Sequence, residues 1–192
     1  MEKKQLLYDT AKVLFIQNGF KETNISAITK AAHVAVGTFY LYFDSKEQLF
    51  MEIFQEENSA LKQHCLAALD LTQSPLNVIR QMLALNQEGI QSSPILREWY
   101  HSDEFRKIEK AYREEHSIES LNFLYDAFLD LVRRWQAEGT MRADIDSNMI
   151  MMMFAALINI DTHKDEIGME YFPDLLNLMT ELLLKSLTKC TA

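Results

Sequence analysis

The chain is predicted to be all-α, and three observations carry that prediction. Only five Gly and three Pro interrupt its 192 residues, so few positions force the backbone out of a helix. Apolar residues recur three and four apart along most of the chain, which gathers them on one side of a helix. No alternation of apolar and polar residues runs long enough to build a strand. With 48% apolar residues, the chain can bury a sizeable core, either as one domain or as a small head on a larger body.

The elements follow in order. A first helix is expected from about residue 2 to Asn18, with Leu7, Ala11, Leu14 and Phe15 inward and Gly19 as its C-terminal cap. Thr23 is placed to cap a second helix whose Ile25, Ile28 and Ala32 share one face. His33-Val34-Ala35 leaves room only for a turn, and Val36, Phe39 and Phe43 then fall on the buried side of a third, very short helix. So short a helix is not stable alone and must be held by its neighbours. Ser45 with Gln48 reads as a capping box that opens a long fourth helix, from Lys46 to about Leu71. Two helical patterns joined by a tight turn and braced by a third are the layout of a helix-turn-helix.

Beyond this head, Pro75 opens a fifth helix reaching roughly Ile90, and Ser92-Ser93-Pro94 breaks the chain before a short sixth that holds Ile95, Leu96, Trp99 and Tyr100. Residues 103–138 are helical in pattern, as one helix or as two meeting near His116-Ser117, and Gly139 ends them. Met149 to Ile158 are ten apolar residues in a row within an eighth helix of about 147–164. They cover every side of it, so it must be buried all round. A ninth helix, about 173–188, carries eight apolar residues from Leu175 to Leu187. A small body cannot cover two such helices, whereas a second copy can, through a two-fold four-helix interface of helices eight and nine.

Residues 23–50 carry a family resemblance. Gly37-Thr38-Phe39-Tyr40-Leu41-Tyr42-Phe43, followed by Ser45-Lys46-Glu47 and preceded by Ile28 and Ala32-His33-Val34, closely resembles the DNA-binding signature of TetR-family transcriptional repressors. The chain departs from the family's usual Ala, Gly and Ser at Thr29, His33 and Ala35, and a His at a turn that prefers positive φ is a strained choice. The resemblance implies a helix-turn-helix DNA-binding domain over 1–46 and a ligand-binding and dimerisation domain over 47–192. It implies that residues 35–42 enter the major groove, with Ala35, Val36, Gly37, Thr38, Tyr40, Leu41 and Tyr42 at or near the DNA. It also implies phosphate contacts from Lys46 and from Thr23, Asn24 and Ser26. Lys3 and Lys4 stand where they could touch phosphate or remain solvated.

No Arg or Lys lies in the recognition helix, so the bidentate guanine contact is excluded there, and base reading is expected to favour A/T with a modest salt slope; Val36 and Leu41, if they face the groove, read thymine methyls, while Leu41 equally reads as packing. Phe39 reads as packing. The two heads of a dimer must lie about 34–36 Å apart, or a multiple of a helical turn, to read successive grooves, so the operator should be a near-palindrome. The resemblance further implies a small-molecule pocket between helices four and eight. Trp99, Tyr100, Phe123, Tyr125, Phe128, Met152, Phe154 and Asn159 are its candidate lining, suited to an apolar or aromatic effector, although such stripes are also what cores contain.

A net charge of −9 argues against nucleic acid, but residues 1–50 hold six basic and five acidic side chains, leaving −10 on the rest. A weakly basic head can face DNA while an acidic body points away. Cys65 and Cys190 form no CxxC and read as reduced thiols of a cytoplasmic protein, and neither a secretory signal nor a membrane span is apparent. Asp161, His163 and Glu166 read as a solvated cluster rather than a metal site, and no cofactor is expected. The reading is therefore a ligand-responsive, homodimeric repressor with double-stranded operator DNA and a small-molecule effector as partners. One alternative is a DNA-binding regulator without such an effector. The other is an all-helical enzyme, for which the chain shows no nucleophile elbow, phosphate-cradling loop or HExxH.

Overall fold

The computed structural model describes residues 2–101, 105, 122–160, 167–171 and 174–188. Among them are nine α-helices: α1 Glu2–Glu22, α2 Ile25–Ala31, α3 Val36–Phe39, α4 Lys46–Ala68, α5 Pro75–Ser92, α6 Pro94–His101, α7 Asn122–Ala137, α8 Ser147–Ile160 and α9 Asp174–Leu187. A 3₁₀ turn, Met169–Tyr171, lies between the last two. The all-α class is as expected, and no described helix is long and apolar enough to cross a membrane. Whether 103–138 begins as one helix or two, the start of the ninth helix at Pro173, and the Asp161-His163-Glu166 cluster all fall outside the described residues. The chain forms two compact units, Met1–His64 with Leu85–Ser120, and Cys65–Ala84 with Leu121–Ala192.

Several boundaries differ from expectation for local reasons. The first helix does not stop at Asn18: it breaks at Gly19 and resumes to Glu22. Gly19 has φ 79° and ψ 169°, a region essentially closed to any residue with a Cβ. The cap of α2 is Asn24, not Thr23. The Asn24 side chain accepts from the Ala27 N–H at 2.9 Å, whereas the buried Thr23 hydroxyl donates backward to the Gly19 carbonyl at 2.8 Å. The Ser45 hydroxyl caps α4 by accepting from the Gln48 N–H at 3.0 Å, and the Gln48 side chain reaches back one residue further than a capping box requires, to the Asp44 N–H at 2.6 Å. The fourth helix ends at Ala68 rather than Leu71, where Asp70 gathers the Thr72 N–H and hydroxyl into a turn.

The core of the first unit is aromatic. Phe15, Phe20, Phe50, Phe54, Trp99 and Phe105 are all buried and meet ring to ring. Phe54 and Trp99 stack with centroids 4.1 Å apart, Phe50 and Phe105 stack at 4.5 Å, and Phe15 meets Phe50 edge-on at 5.0 Å. Such pairs contribute about 0.5–1.5 kcal/mol beyond the area they bury. Polar contacts bind α1 to α4 alongside: the Tyr8 hydroxyl donates to Glu56 at 3.0 Å, and Lys12 lies 3.0 Å from Glu57 and 3.6 Å from Glu56. Burial and these carboxylates push the Tyr8 phenol well up. Burial pulls Lys12 down, but its bonds to Glu57 and Glu56 prevail and hold it above the usual lysine value.

The second unit is largely aliphatic, with Val78, Val132, Ile150, Leu184 and Leu187 buried, as is Trp135. The loop from α7 to α8 is sewn in by its backbone: Arg142 N–H donates to the Leu187 carbonyl at 2.8 Å, and Gln136 donates to the carbonyls of Arg142 and Ile145. Asp146 caps α8 through the Asn148 N–H at 2.9 Å. The eighth helix is not covered on every side: Ile150, Met151 and Leu157 are buried, while Met149, Met152 and Ala156 are exposed at positions that share one face. On α9, Leu178 and Leu182 are likewise exposed and Leu183 is half-buried. Because Phe50 contacts Phe15, Phe20, Trp99 and Phe105 at once, Phe50→Ala should lower stability by about 3–5 kcal/mol in urea unfolding followed by circular dichroism; a loss under ~1 kcal/mol would mean that the aromatic cluster is not the core of this unit.

Candidate nucleic-acid interface

The recognition segment is shorter than predicted. Instead of a helix over 35–42, α3 has only four residues, Val36–Phe39, followed by a turn over 40–42. Of the three residues expected on its buried side, Phe39 and Phe43 are anchors at 0% and 1% exposure, whereas Val36, on the first turn of so short a helix, is 47% exposed. Its other side is bare: Ala35, Val36, Gly37, Tyr40 and Leu41 are exposed, while Thr38 and Tyr42 are half-buried. A Cβ added at Gly37 would meet nothing within 4 Å.

The turn before α3 uses the three unusual residues in different ways. His33 adopts φ 53°, the left-handed conformation anticipated for a position where glycine is easier. Thr29 is buried, and its hydroxyl donates to the Ile25 and Ser26 carbonyls at 2.9 and 3.2 Å, so the extra polar atom is satisfied inside α2. Ala35 stands at the N-cap of α3, in extended conformation, without offering a side-chain cap.

The residues expected at phosphate divide. Asn24 and Ser26 are exposed at the start of α2, although Asn24 is occupied as the cap. Thr23 is 1% exposed, with its hydroxyl committed to α1. Lys46 is turned inward: its ammonium donates to the Phe20 carbonyl at 2.7 Å and the Thr23 carbonyl at 2.8 Å, and sits 3.9 Å from the centre of the Phe20 ring. Lys4 lies 3.3 Å from Glu52 and over the Phe43 ring. An open cleft of about 430 Å³ lies between α2 and α4, lined by Asn24, Ile25, Tyr40 and Asp44 to Glu47. Asp44 and Glu47 bring negative charge to its rim, which works against phosphate there.

Glu98 is the residue that pattern reading missed. From α6 it accepts the Phe20 N–H at 2.8 Å. No local signal marks it, because its partner lies 78 residues away. Phe20 is thus held at both ends of its backbone, by Glu98 on α6 and by Lys46 on α4, at the corner that Gly19 makes possible. The candidate effector residues fall in both units. Trp99 and Tyr100 belong to the first, Trp99 stacked on Phe54 and the Tyr100 hydroxyl 3.3 Å from Asn58. Phe123, Tyr125, Phe128 and Phe154 are half-buried in the second, where Met152 is exposed. Asn159 lies on α8 with its side chain outside those described.

The family model for bacterial regulatory proteins of the tetR family matches residues 7–53. Over that segment the chain is similar to the tetR family of regulators. The chain is 26% identical over 196 residues to the transcriptional regulator QacR of Staphylococcus aureus, covering 98% of this chain and 100% of QacR. It is also 26% identical over 160 residues to the probable acrEF/envCD operon repressor of Escherichia coli K12, covering 80% of this chain and 71% of that protein. Among solved structures, the repressor FadR of Thermus thermophilus in complex with lauroyl-CoA matches with TM-score 0.63 at 22% identity, over 98% and 97% of the two chains, a likeness of fold. These relatives are regulators, which speaks against the enzyme alternative.

With two charge-assisted bonds of the kind worth about 1.5–3 kcal/mol each anchoring its ammonium, Lys46→Met should cost at least ~1.5 kcal/mol of stability. Urea unfolding of wild type and variant checks this; equal midpoints would show that Lys46 is free to serve DNA alone.

Proposed function

We propose that the protein is a ligand-responsive transcriptional repressor that binds near-palindromic operator DNA as a homodimer and is released by a small apolar or aromatic effector. Residues 1–46 are the DNA-binding domain and residues 47–192 the ligand-binding and dimerisation domain. One observation carries the reading: a helix of four residues, too short to persist alone, is gripped from behind by Phe39 and Phe43 and presents Val36, Gly37, Tyr40 and Leu41 outward. A fold that props so short a segment with its outer face bare suits docking in a major groove. Tyr40, 55% exposed, and Tyr42 supply hydroxyls to phosphate. Lys46 holds the start of α4 beside the corner of α1, so its part in DNA binding is chiefly to position.

Dimerisation is supported by Met149, Met152, Leu178 and Leu182, all about half exposed or more on α8 and α9, a concentration of apolar surface that a monomer leaves wet. Met152 is assigned to this face rather than to effector lining. The effector class is supported by the half-buried aromatics of α7 and α8, and the fold neighbours that hold lauroyl-CoA and stearoyl-CoA make fatty acyl-CoA the first class to try. A ligand that prefers the state with wrongly spaced heads weakens operator affinity by its preference ratio.

Selection of duplexes from random DNA by the purified protein should enrich a near-palindrome, and titration with long-chain acyl-CoAs and polyaromatic compounds should release it. Enrichment of no sequence over any other would end the repressor reading; a duplex that no such compound releases would favour the regulator without an effector. Tyr40→Phe should weaken the selected duplex about fivefold, the ratio given by ~1 kcal/mol for one hydrogen bond, with unfolding unchanged. Leu178→Glu with Leu182→Glu should sediment as a monomer, and a persisting dimer would place the interface elsewhere.

A further inference from the structure

We infer that Leu41 and Val36 form a reader of the C5-methyl group of pyrimidines, an inference that rests on the DNA-binding reading above and extends it to base chemistry. Positions 36, 37, 40 and 41 share one side of a helix and of the turn that continues it. The chain exposes all four, Val36 at 47%, Tyr40 at 55% and Leu41 at 76%, with open space around Gly37. An isolated exposed leucine needs no explanation. Here two branched aliphatic side chains are exposed together, with open space at Gly37, while Phe39 and Phe43 are buried, all within the 7–53 segment that matches the tetR family model.

The chemistry of the face narrows what it can recognise. Residues 31–45 contain no Arg and no Lys, so the bidentate guanine contact has no donor, and they contain no Asn or Gln, so neither has the bidentate adenine contact. The major groove displays a single apolar group, the C5-methyl of thymine, and an apolar contact with that methyl is the readout left to Leu and Val. Phe39 takes no part, since it is fully buried. What is recognised is the methyl rather than the whole base, so 5-methylcytosine, which carries the same group at the same place, satisfies the same side chains.

The test uses the duplex enriched from a random pool, synthesised with deoxyuridine in place of thymidine at one position at a time. Wild type should lose about fourfold at one or more positions per half-site, the ratio corresponding to ~0.8 kcal/mol for one buried methyl. At those positions Leu41→Ala or Val36→Ala should bind the thymidine and deoxyuridine duplexes equally. A C·G pair placed there should bind about fourfold tighter when its cytosine is 5-methylated. Leu41 and Val36 are exposed enough that their truncation leaves the unfolding midpoint in place, which is measured alongside. An enriched duplex indifferent to every deoxyuridine overturns the inference while leaving the repressor reading intact. A methyl effect that persists undiminished in both variants also overturns it, by moving the reader elsewhere. Failure to enrich any duplex overturns the repressor reading itself, and this inference with it.

Discussion

The head of this protein depends on how one residue is held. Phe20 follows the break at Gly19, and its N–H, its carbonyl and its ring are each claimed by a different element: Glu98 of α6, Lys46 of α4, and the rings of Phe15, Phe50 and Phe105. The break frees backbone groups that a continuous helix would pair internally, and buried groups of that kind must find partners. Two charged side chains supply them, and charged partners make the stronger bonds. The Thr23 hydroxyl takes the Gly19 carbonyl in the same corner. The entry of the chain into α2 is therefore set by contacts that reach α4 and α6, and α3 inherits its place from α2 and α4.

That arrangement explains which parts of the molecule could be read in advance. Helix identity follows from apolar spacing, a property of neighbours in the sequence, and so α1 to α6 appear close to where they were expected. Phe39 and Phe43 as anchors follow from the same periodicity, whereas Val36, placed with them by that spacing, faces outward. The strained turn at His33 was visible as a glycine position without glycine, and its φ of 53° agrees. Competition for a partner was not visible. Thr23 and Asn24 are both good caps, and only the opened end of α1 decides that Thr23 serves that end while Asn24 caps α2.

Lys46 is a second case of the same kind. Beside a helix start, a lysine in a repressor-like segment reads as a phosphate contact, and the family resemblance reinforces that. The structure provides two carbonyls and an aromatic face within reach, which could be known only once Gly19 was seen to break α1. Glu98 was beyond reach altogether, since a carboxylate binding a backbone amide 78 residues away leaves no periodic trace. In the second unit, the run of ten apolar residues reads as a helix buried on every side, whereas the single chain leaves Met149, Met152 and Ala156 exposed. Its division into a buried side at Ile150 and Leu157 and an open side at Met149 and Met152 emerged only from the packing of α7 and α9 around it.

Gly37 has a consequence of its own. A glycine inside a helix is less stable than alanine by roughly 0.5–1 kcal/mol, and α3 can ill spare that in four residues. Neither crowding nor an unusual backbone angle calls for it, since its surroundings hold nothing within 4 Å. The missing methyl therefore gives the isolated chain nothing. It leaves the backbone of α3 uncovered on its outer side, so that another molecule can approach the main chain there more closely than any side chain would let it.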